Sequence, residues 1–298
     1  MNLLKIKKEQ PQLIKKDFKV VSQFSSFDEK LLFFLKIKNK LIKNSKLLFK
    51  QYPIEIYENV KLDFIYTKKQ KEILKNTNEI NLTKKLNKLY ESKIIQHIPY
   101  TFKISKHKKH IISFQEFFSF NLYTLLVEYP IANSYFLDNI LFIIDVVIKE
   151  NILLKKYNIF HNDLHLKNIL VNESKNSLDV AISDWEYGEI GIKDQTLINF
   201  YKRYFPLFTM NNISNIERFK LNTHFIDLYK FLGSLKYTFS LNLYKSTVSI
   251  YSIIEKYHDL IGEILISDKK YKLKKISNEM LDILYLEIKW IKSFTFDY

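Results

Sequence analysis

Cysteine is absent from this chain, and glycine nearly so: four in 298 residues, the first of them Gly188. Without cysteine there is no disulfide framework, no thiolate metal site and no cysteine nucleophile, and a reducing compartment is the natural setting. Without glycine before residue 188 there is no glycine-rich phosphate loop in the front half. Such loops need residues lacking a Cβ, so that backbone N–H groups can close on phosphate oxygens. Proline is scarce too, with five. A long uninterrupted apolar run is also missing. The most apolar window, FLDNILFIIDVVIKENILL, carries Asp138, Asp145 and Glu150 and reads as a buried helix rather than a membrane span. The opening MNLLKIKKEQ has no apolar h-region, so no secretory signal and no membrane partner are expected, and a cytoplasmic location is.

What is present is core-forming material. Hydrophobic residues make up 47% of the chain, with 20 Tyr and 24 Phe, which argues against a disordered polymer. The formal net charge is +15. Lysine, asparagine and isoleucine are all in excess, as an AT-rich genome would produce. The lysines are spread through the helical patterns, and ISKHKKH at 104–110 is the one tight cluster. The charge is therefore read as compositional rather than as a nucleic-acid-binding patch, so no nucleic-acid partner is expected, while it still attracts nucleotides and acidic partners.

Along the chain, DFKVVSQF reads as a strand. SSFDEKLLFFLKIKNKLIKNSKLLFK opens with Ser26 and Glu29 in capping-box spacing and predicts a helix that Pro53 ends. IEIYENVKLDFIYT (54–67) alternates about Glu58-Asn59 and suits a hairpin. Residues 68–95 have helical spacing interrupted at Asn76, Thr77 and Asn78, which predicts a fresh helix starting near Asn78 or Glu79. YTFKISKHKKHIISFQEFF predicts two strands joined by the basic turn. Beyond residue 120 come a short helix closed by Pro130, a long apolar helix over 134–157, two strands NILVN and LDVAIS around a polar turn, and a mainly helical remainder. The expected division is 1–53, a lysine-rich extension with a helix; 54–117, a small β-rich lobe; and 118–298, a mainly helical lobe.

The chemistry concentrates in YNIFHNDLHLKNILVN, residues 157–172. Apolar ends enclose His161, Asn162, Asp163, His165 and Asn168, and buried polar groups without partners cost a few kcal/mol each. Phosphoryl transfer from ATP needs a carboxylate to orient the acceptor hydroxyl and oxygen ligands for magnesium. A loop between a buried helix and a strand can supply both. His161, Asp163 and Asn168 complete the spacing H-x-D-x-x-x-x-N, and Asp184 follows the next hairpin in LDVAISDWE. His161 and His165 also stand four apart, but Asn162 occupies the position where a helical zinc motif needs glutamate.

From about residue 54 to 240 the chain resembles the protein-kinase-like superfamily. The nearest likeness is to the divergent branch of haspin-type and large-DNA-virus kinases, with a DWE like that of aminoglycoside and choline kinases. The resemblance implies an α+β, bilobal fold with a small β-rich N-lobe and a mainly helical C-lobe, with ATP and Mg2+ as cofactors; if the chain is viral, the cytoplasm is the host's. It makes Asp163 the base or acceptor-orienting residue, Asn168 and Asp184 the magnesium ligands, and His161 a brace of the loop. It makes Lys61, with Lys68 as rival, and Glu79 the phosphate-binding ion pair. Glu116 and Phe117 become the backbone contacts to adenine. Asp227 anchors the loop backbone, or Asp194 does if the small-molecule-kinase alignment holds.

The departures are the missing glycines, Asn162 where such kinases carry arginine, Trp185-Glu186 for Phe-Gly, and no A-P-E triplet between 184 and 227. His165, two after Asp163, either meets the transferred phosphate or packs. Glu186 either helps hold metal or is a solvated loop carboxylate. The implied activity is a divergent Ser/Thr-type protein kinase with a protein substrate. The alternatives are a small-molecule kinase acting on an alcohol, which an acidic substrate pocket would mark, and a pseudokinase binding module.

Overall fold

The computed structural model describes the backbone of residues 18–25, 31–37, 46–53 and 68–295, apart from 108–109, 117, 119, 129–133, 175–176, 213–214 and 242–247, with side-chain surroundings for most residues from 79 on. Helix and sheet are mixed, and the chain divides into two compact units. One is Met1–Ser92 with Pro99–Phe118, the other Lys93–Ile98 with Ser119–Tyr298.

The first unit holds strands β1 (Phe18–Ser25), β2 (Leu31–Ile37) and β3 (Lys46–Pro53), helix α1 (Lys68–Glu91), and strands β4 (Thr101–His107) and β5 (His110–Glu116). The strands form one antiparallel sheet in the order β1-β2-β3-β5-β4. The helix expected between Ser26 and Pro53 is thus replaced by two strands. LLFFLKI and KLLFKQYP are short apolar runs, and periodicity alone does not separate a strand from a buried helical segment at that length. Their aromatic and branched content suits a pleated surface, and pairing between β1 and β5 decides the matter. The expected hairpin at 54–67 lies outside the described residues. β4 and β5 pair antiparallel, as the two strands expected there would, with His107 opposite His110.

Helix α1 is continuous through Asn76–Asn78, where a break was expected. Asparagine and threonine cost only several tenths of a kcal/mol each in a helix, and an apolar face outweighs that. Ile80, Leu82 and Leu86 on this helix are buried at 2%, 3% and 1% exposure.

The second unit is built on α3 (Ser134–Lys156), whose Ile140, Ile143, Ile144, Val147 and Ile148 are buried. Before it comes the short α2 (Leu122–Glu128), and after it a run of short strands: β6 (Phe120–Asn121) pairs with β8 (Ile169–Ser174), which pairs with β9 (Ser177–Ile182). β7 (Ile159–Phe160) pairs with β10 (Glu189–Ile190). Helices α4 (Asp194–Tyr204), α5 (Pro206–Asn212), α6 (Ile216–Lys220), α7 (Ile226–Leu241), α8 (Val248–Ile266) and α9 (Leu273–Thr295) complete it. α7 packs on α8, and α9 on both α3 and α8.

Residues 93–98 are stapled into this unit. The Glu150 carboxylate on α3 accepts the N–H groups of Gln96 and His97 at 3.1 and 3.2 Å, and the Ile182 N–H donates to the His97 carbonyl at 2.8 Å. Burial pushes the Glu150 carboxyl up, against the pull of those N–H groups and of His97. Among the described residues, no helix is long and apolar enough to cross a membrane.

Candidate active site

The loop between β7 and β8 carries the polar residues singled out in the sequence, and a carboxylate beneath it sets its shape. Asp227, in the first turn of α7 and 1% exposed, accepts the His161 N–H at 2.9 Å and the Asn162 N–H at 2.8 Å on its two oxygens. The buried Lys155 ammonium, at the end of α3, donates to the same carboxylate and, at 3.1 Å, to the Ile159 carbonyl. Burial alone would raise the Asp227 carboxyl. Lys155, His161 and the His161 N–H outweigh it and hold the group below the usual carboxylate range. Asp194, the competing anchor, opens α4 and pairs with Lys220 at 3.1 Å with 57% of its side chain exposed. Asp227, not Asp194, holds the loop.

His161 is the hub. Its Nε2 donates to the Ser183 carbonyl at 2.8 Å, its Nδ1 accepts the Asp163 N–H at 3.3 Å, and its ring lies 4.5 Å from that of Trp185. Those two bonds require the neutral Nε2–H tautomer. Burial lowers the imidazole's affinity for a proton and outweighs Asp227, Asp184 and Asp163, whose charges all act on this ring. Trp185 is core, 4% exposed, with its indole N–H on the Ile182 carbonyl at 3.1 Å.

Asn168 closes the short 3-10 turn Leu166–Asn168. Its side-chain Nδ2 donates to the Asp163 carbonyl at 2.9 Å, which turns Oδ1 away from that carbonyl. Its own carbonyl accepts both the N–H and the hydroxyl of Ser183, at 2.8 and 3.1 Å. Asp184 comes next in sequence. Asp163, Asn168 and Asp184 are therefore joined through two hydrogen-bonded links and one peptide bond. Asn162 and Asp184 both adopt the left-handed backbone region, at φ 61° and 62°. That conformation costs about 1–2 kcal/mol for most residues and least for Asn and Asp, and it concentrates where a fixed geometry is required.

Asp163 is half-buried, with His165 and Lys230 beside its carboxylate. His165 Nε2 lies 3.5 Å from its Oδ2, while His165 Nδ1 accepts the Lys167 N–H at 3.2 Å. Lys230, one turn beyond Asp227 on α7, donates to the Asn162 carbonyl. Burial would raise the Asp163 carboxyl, but His165 and Lys230 outweigh it and keep the group ionised. Asn162 donates its Nδ2 to the Tyr187 carbonyl at 3.0 Å, and its Oδ1 is buried without a hydrogen-bond partner.

The other expected residues belong to the first unit. Glu79 is buried on α1 at 2% exposure. Glu116 ends β5, gives its N–H to the Tyr100 carbonyl at 2.8 Å, and accepts the Tyr100 N–H on its carboxylate at 3.3 Å. Lys68 opens α1 and so is on a helix, not a strand. Lys61 and Phe117 lie outside the described residues. Sequence reasoning missed Lys155, Lys230 and Ser183. The pair Asp227-x-x-Lys230 was readable, since a three-residue spacing puts both on one helical face. Lys155 was not, in a chain where lysine occurs throughout.

Among the described residues, no group of three or more His, Asp or Glu side chains is gathered to hold a metal. Asp184 and Asn168 instead offer one carboxylate and one amide oxygen. These are hard donors that suit magnesium, which keeps further positions for water and phosphate oxygens. No protein-family model matches the chain, and no curated protein matches its sequence. The functional reading rests on the motif and its geometry.

Proposed function

We propose that the chain is a Mg2+-dependent ATP phosphotransferase of the protein-kinase-like type, whose acceptor is a protein hydroxyl. The observation that carries this reading is the bonded frame Asp227–His161–Ser183–Asn168. It fixes Asp163, Asn168 and the residue before Asp184 relative to one another. Asp163, ionised and accessible, orients the acceptor hydroxyl and takes its proton. Asn168 and Asp184 hold Mg2+. When bound, Mg·ATP supplies the transferable phosphoryl group and neutralises its developing charge. Lys230 adds positive charge beside Asp163, where the migrating phosphoryl group carries negative charge, and the His165 imidazole stands 3.5 Å from the Asp163 carboxylate.

In this reading the first unit is the small lobe and the second the large lobe. Among the described residues, the last strand before α1 is β3, whose lysines are Lys46 and Lys50. Residues 54–67, Lys61 included, lie outside the described residues, so Lys46 and Lys50 join Lys61 as proposed lysine partners of Glu79. Glu116 and Phe117 keep the adenine-contacting role.

The small-molecule reading is the weaker one. It required Asp194 as anchor, and Asp194 is paired at the surface. It also called for an acidic acceptor pocket, and the groove beside Asp163 is cationic. A pseudokinase reading has one observation in its favour. Residues 26–30, which connect β1 and β2, are Ser-Phe-Asp-Glu-Lys, with two carboxylates and no glycine to approach phosphates. The test is transfer from radiolabelled ATP to a panel of proteins, choline and an aminoglycoside. Mg2+-dependent labelling of protein that Asp163→Asn abolishes supports the proposal. Labelling unaffected by that substitution, or confined to the small molecules, overturns it.

A further inference from the structure

A groove of about 550 Å³ opens within the second unit directly beside Asp163. Asp163 and Lys230 stand at one end, and α7 forms a wall from Lys230 through Gly233 and Tyr237 to Ser240. Ten residues of helix rise about 15 Å. An extended chain advances about 3.3 Å per residue, so the wall matches four to five residues of a polypeptide rather than one compact metabolite.

The charge along this groove is uneven. At the far end the ammonium of Lys236 is neutralised by Glu255 at 3.0 Å and Asp259 at 3.3 Å, and His258 Nδ1 also meets Asp259 at 3.2 Å. At the Asp163 end the lining carries Lys230 and Arg203 against a single carboxylate. Lys230 is committed to the Asn162 carbonyl and faces Asp227 and Asp163. Arg203 is different. It is exposed, its guanidinium lies 5.3 Å from the Tyr204 ring, and it makes no ion pair among the described residues. A guanidinium presents a planar fork of donors that matches a carboxylate in two parallel hydrogen bonds. The His258 ring stacked on Tyr229 at 4.3 Å supplies a flat surface against which a peptide backbone can lie.

We propose that this groove seats an acidic segment of the acceptor protein, with Arg203 holding a carboxylate within a residue or two of the hydroxyl presented to Asp163. The inference rests on the phosphotransferase reading above and names its substrate class. The groove selects against lysine- and arginine-flanked hydroxyls and against cationic alcohols, because both would meet Arg203 and Lys230 without a free counter-charge.

The test pairs transfer with binding. Serine peptides flanked by Asp/Glu, by Lys/Arg or by neutral residues are offered with Mg·ATP to the wild-type chain and to Arg203→Glu, with choline as a further acceptor. The same peptides, fluorescently tagged, are titrated by anisotropy without ATP. The wild type is expected to label the acidic peptide best. Arg203→Glu is expected to raise its KM about tenfold or more, the scale of losing one charge-assisted pair, and to improve the basic peptide. Preference of the wild type for basic peptides or choline overturns the inference, as does an acidic-peptide KM indifferent to Arg203→Glu. Absence of transfer to every acceptor overturns the phosphotransferase reading instead. Anisotropy then decides the groove: Arg203-dependent binding of the acidic peptide sustains it, and no binding overturns it.

Discussion

Asp227 shows how a single buried carboxylate organises a loop it does not belong to. It satisfies the His161 and Asn162 N–H groups, which would otherwise be orphaned just before Asp163, and it neutralises Lys155. Removing one partner of a buried ion pair leaves the other charge uncompensated, at about 3–5 kcal/mol. Asp227→Asn is expected to destabilise the protein on that scale in denaturant unfolding. The folded carboxyl is held below its unfolded value, so its contribution is present above the ordinary carboxylate range and is lost as pH falls through the folded value. The acid limb of the wild-type stability profile should flatten in Asp227→Asn. His161 and His224 act in the same direction. Burial keeps both imidazoles neutral in the folded state, so the unfolded chain takes up protons first and stability begins to fall below about pH 6.5. Asp163→Asn should leave the fold intact and lower phosphotransfer by about 10²–10⁴-fold, the usual worth of a positioned acid or base. Residue placement was legible where a motif fixes a spacing: His161, Asp163, Asn168 and Asp184 stand at offsets that one loop and one hairpin dictate. Lys155 acts through tertiary contacts and nothing local distinguishes it from the other lysines, while Lys230 is marked only by its three-residue spacing from Asp227.

Elements were legible where an apolar pattern was long or the turn chemistry strong. The helix over Ser134–Lys156 and the hairpin of β8 and β9 follow from a sustained apolar run and a polar turn. The strands β2 and β3 were misread as helix because seven or eight apolar-rich residues satisfy either period, and the deciding pairings are with β1 and β5. That change of element also adds β3 lysines to the expected phosphate-binding candidates. Lys50 lies within β3 opposite Ser113 of β5, in the interior of the sheet. Lys50→Ala and Lys46→Ala, compared with Lys61→Ala, should separate the two assignments. Substitution of the phosphate-binding lysine is expected to weaken ATP binding about tenfold or more, the scale of one charge-assisted contact to phosphate, and the other two substitutions to have no such effect. At α8, a Cβ on Gly262 would sit 3.4 Å from the Tyr229 ring, an ordinary contact. Gly262→Ala is therefore expected to stabilise by about 0.5–1 kcal/mol through helix propensity, read from the denaturant midpoint. The same change at Gly233 meets the His258 ring at 3.1 Å and should not give that gain.

For the whole molecule, composition indicated a well-packed core and a cationic surface, and the second unit contains both. Its buried helices carry a rigid polar loop, and its groove concentrates positive charge beside one ionised carboxylate. A net charge of +15 favours anionic ligands at long range, so association with nucleotide or acidic peptide should slow as ionic strength rises. The central claim assigns distinct work to three oxygen-bearing side chains: Asn168 and Asp184 hold magnesium on the nucleotide, and Asp163 handles the acceptor. Calorimetric titration with ATP, with and without Mg2+, tests this division most directly in the wild type, Asp163→Asn, Asn168→Ala and Asp184→Asn. The account predicts Mg2+-dependent binding that Asp163→Asn retains and that Asn168→Ala and Asp184→Asn weaken severely. Binding indifferent to Mg2+, or equally indifferent to all three substitutions, would contradict it.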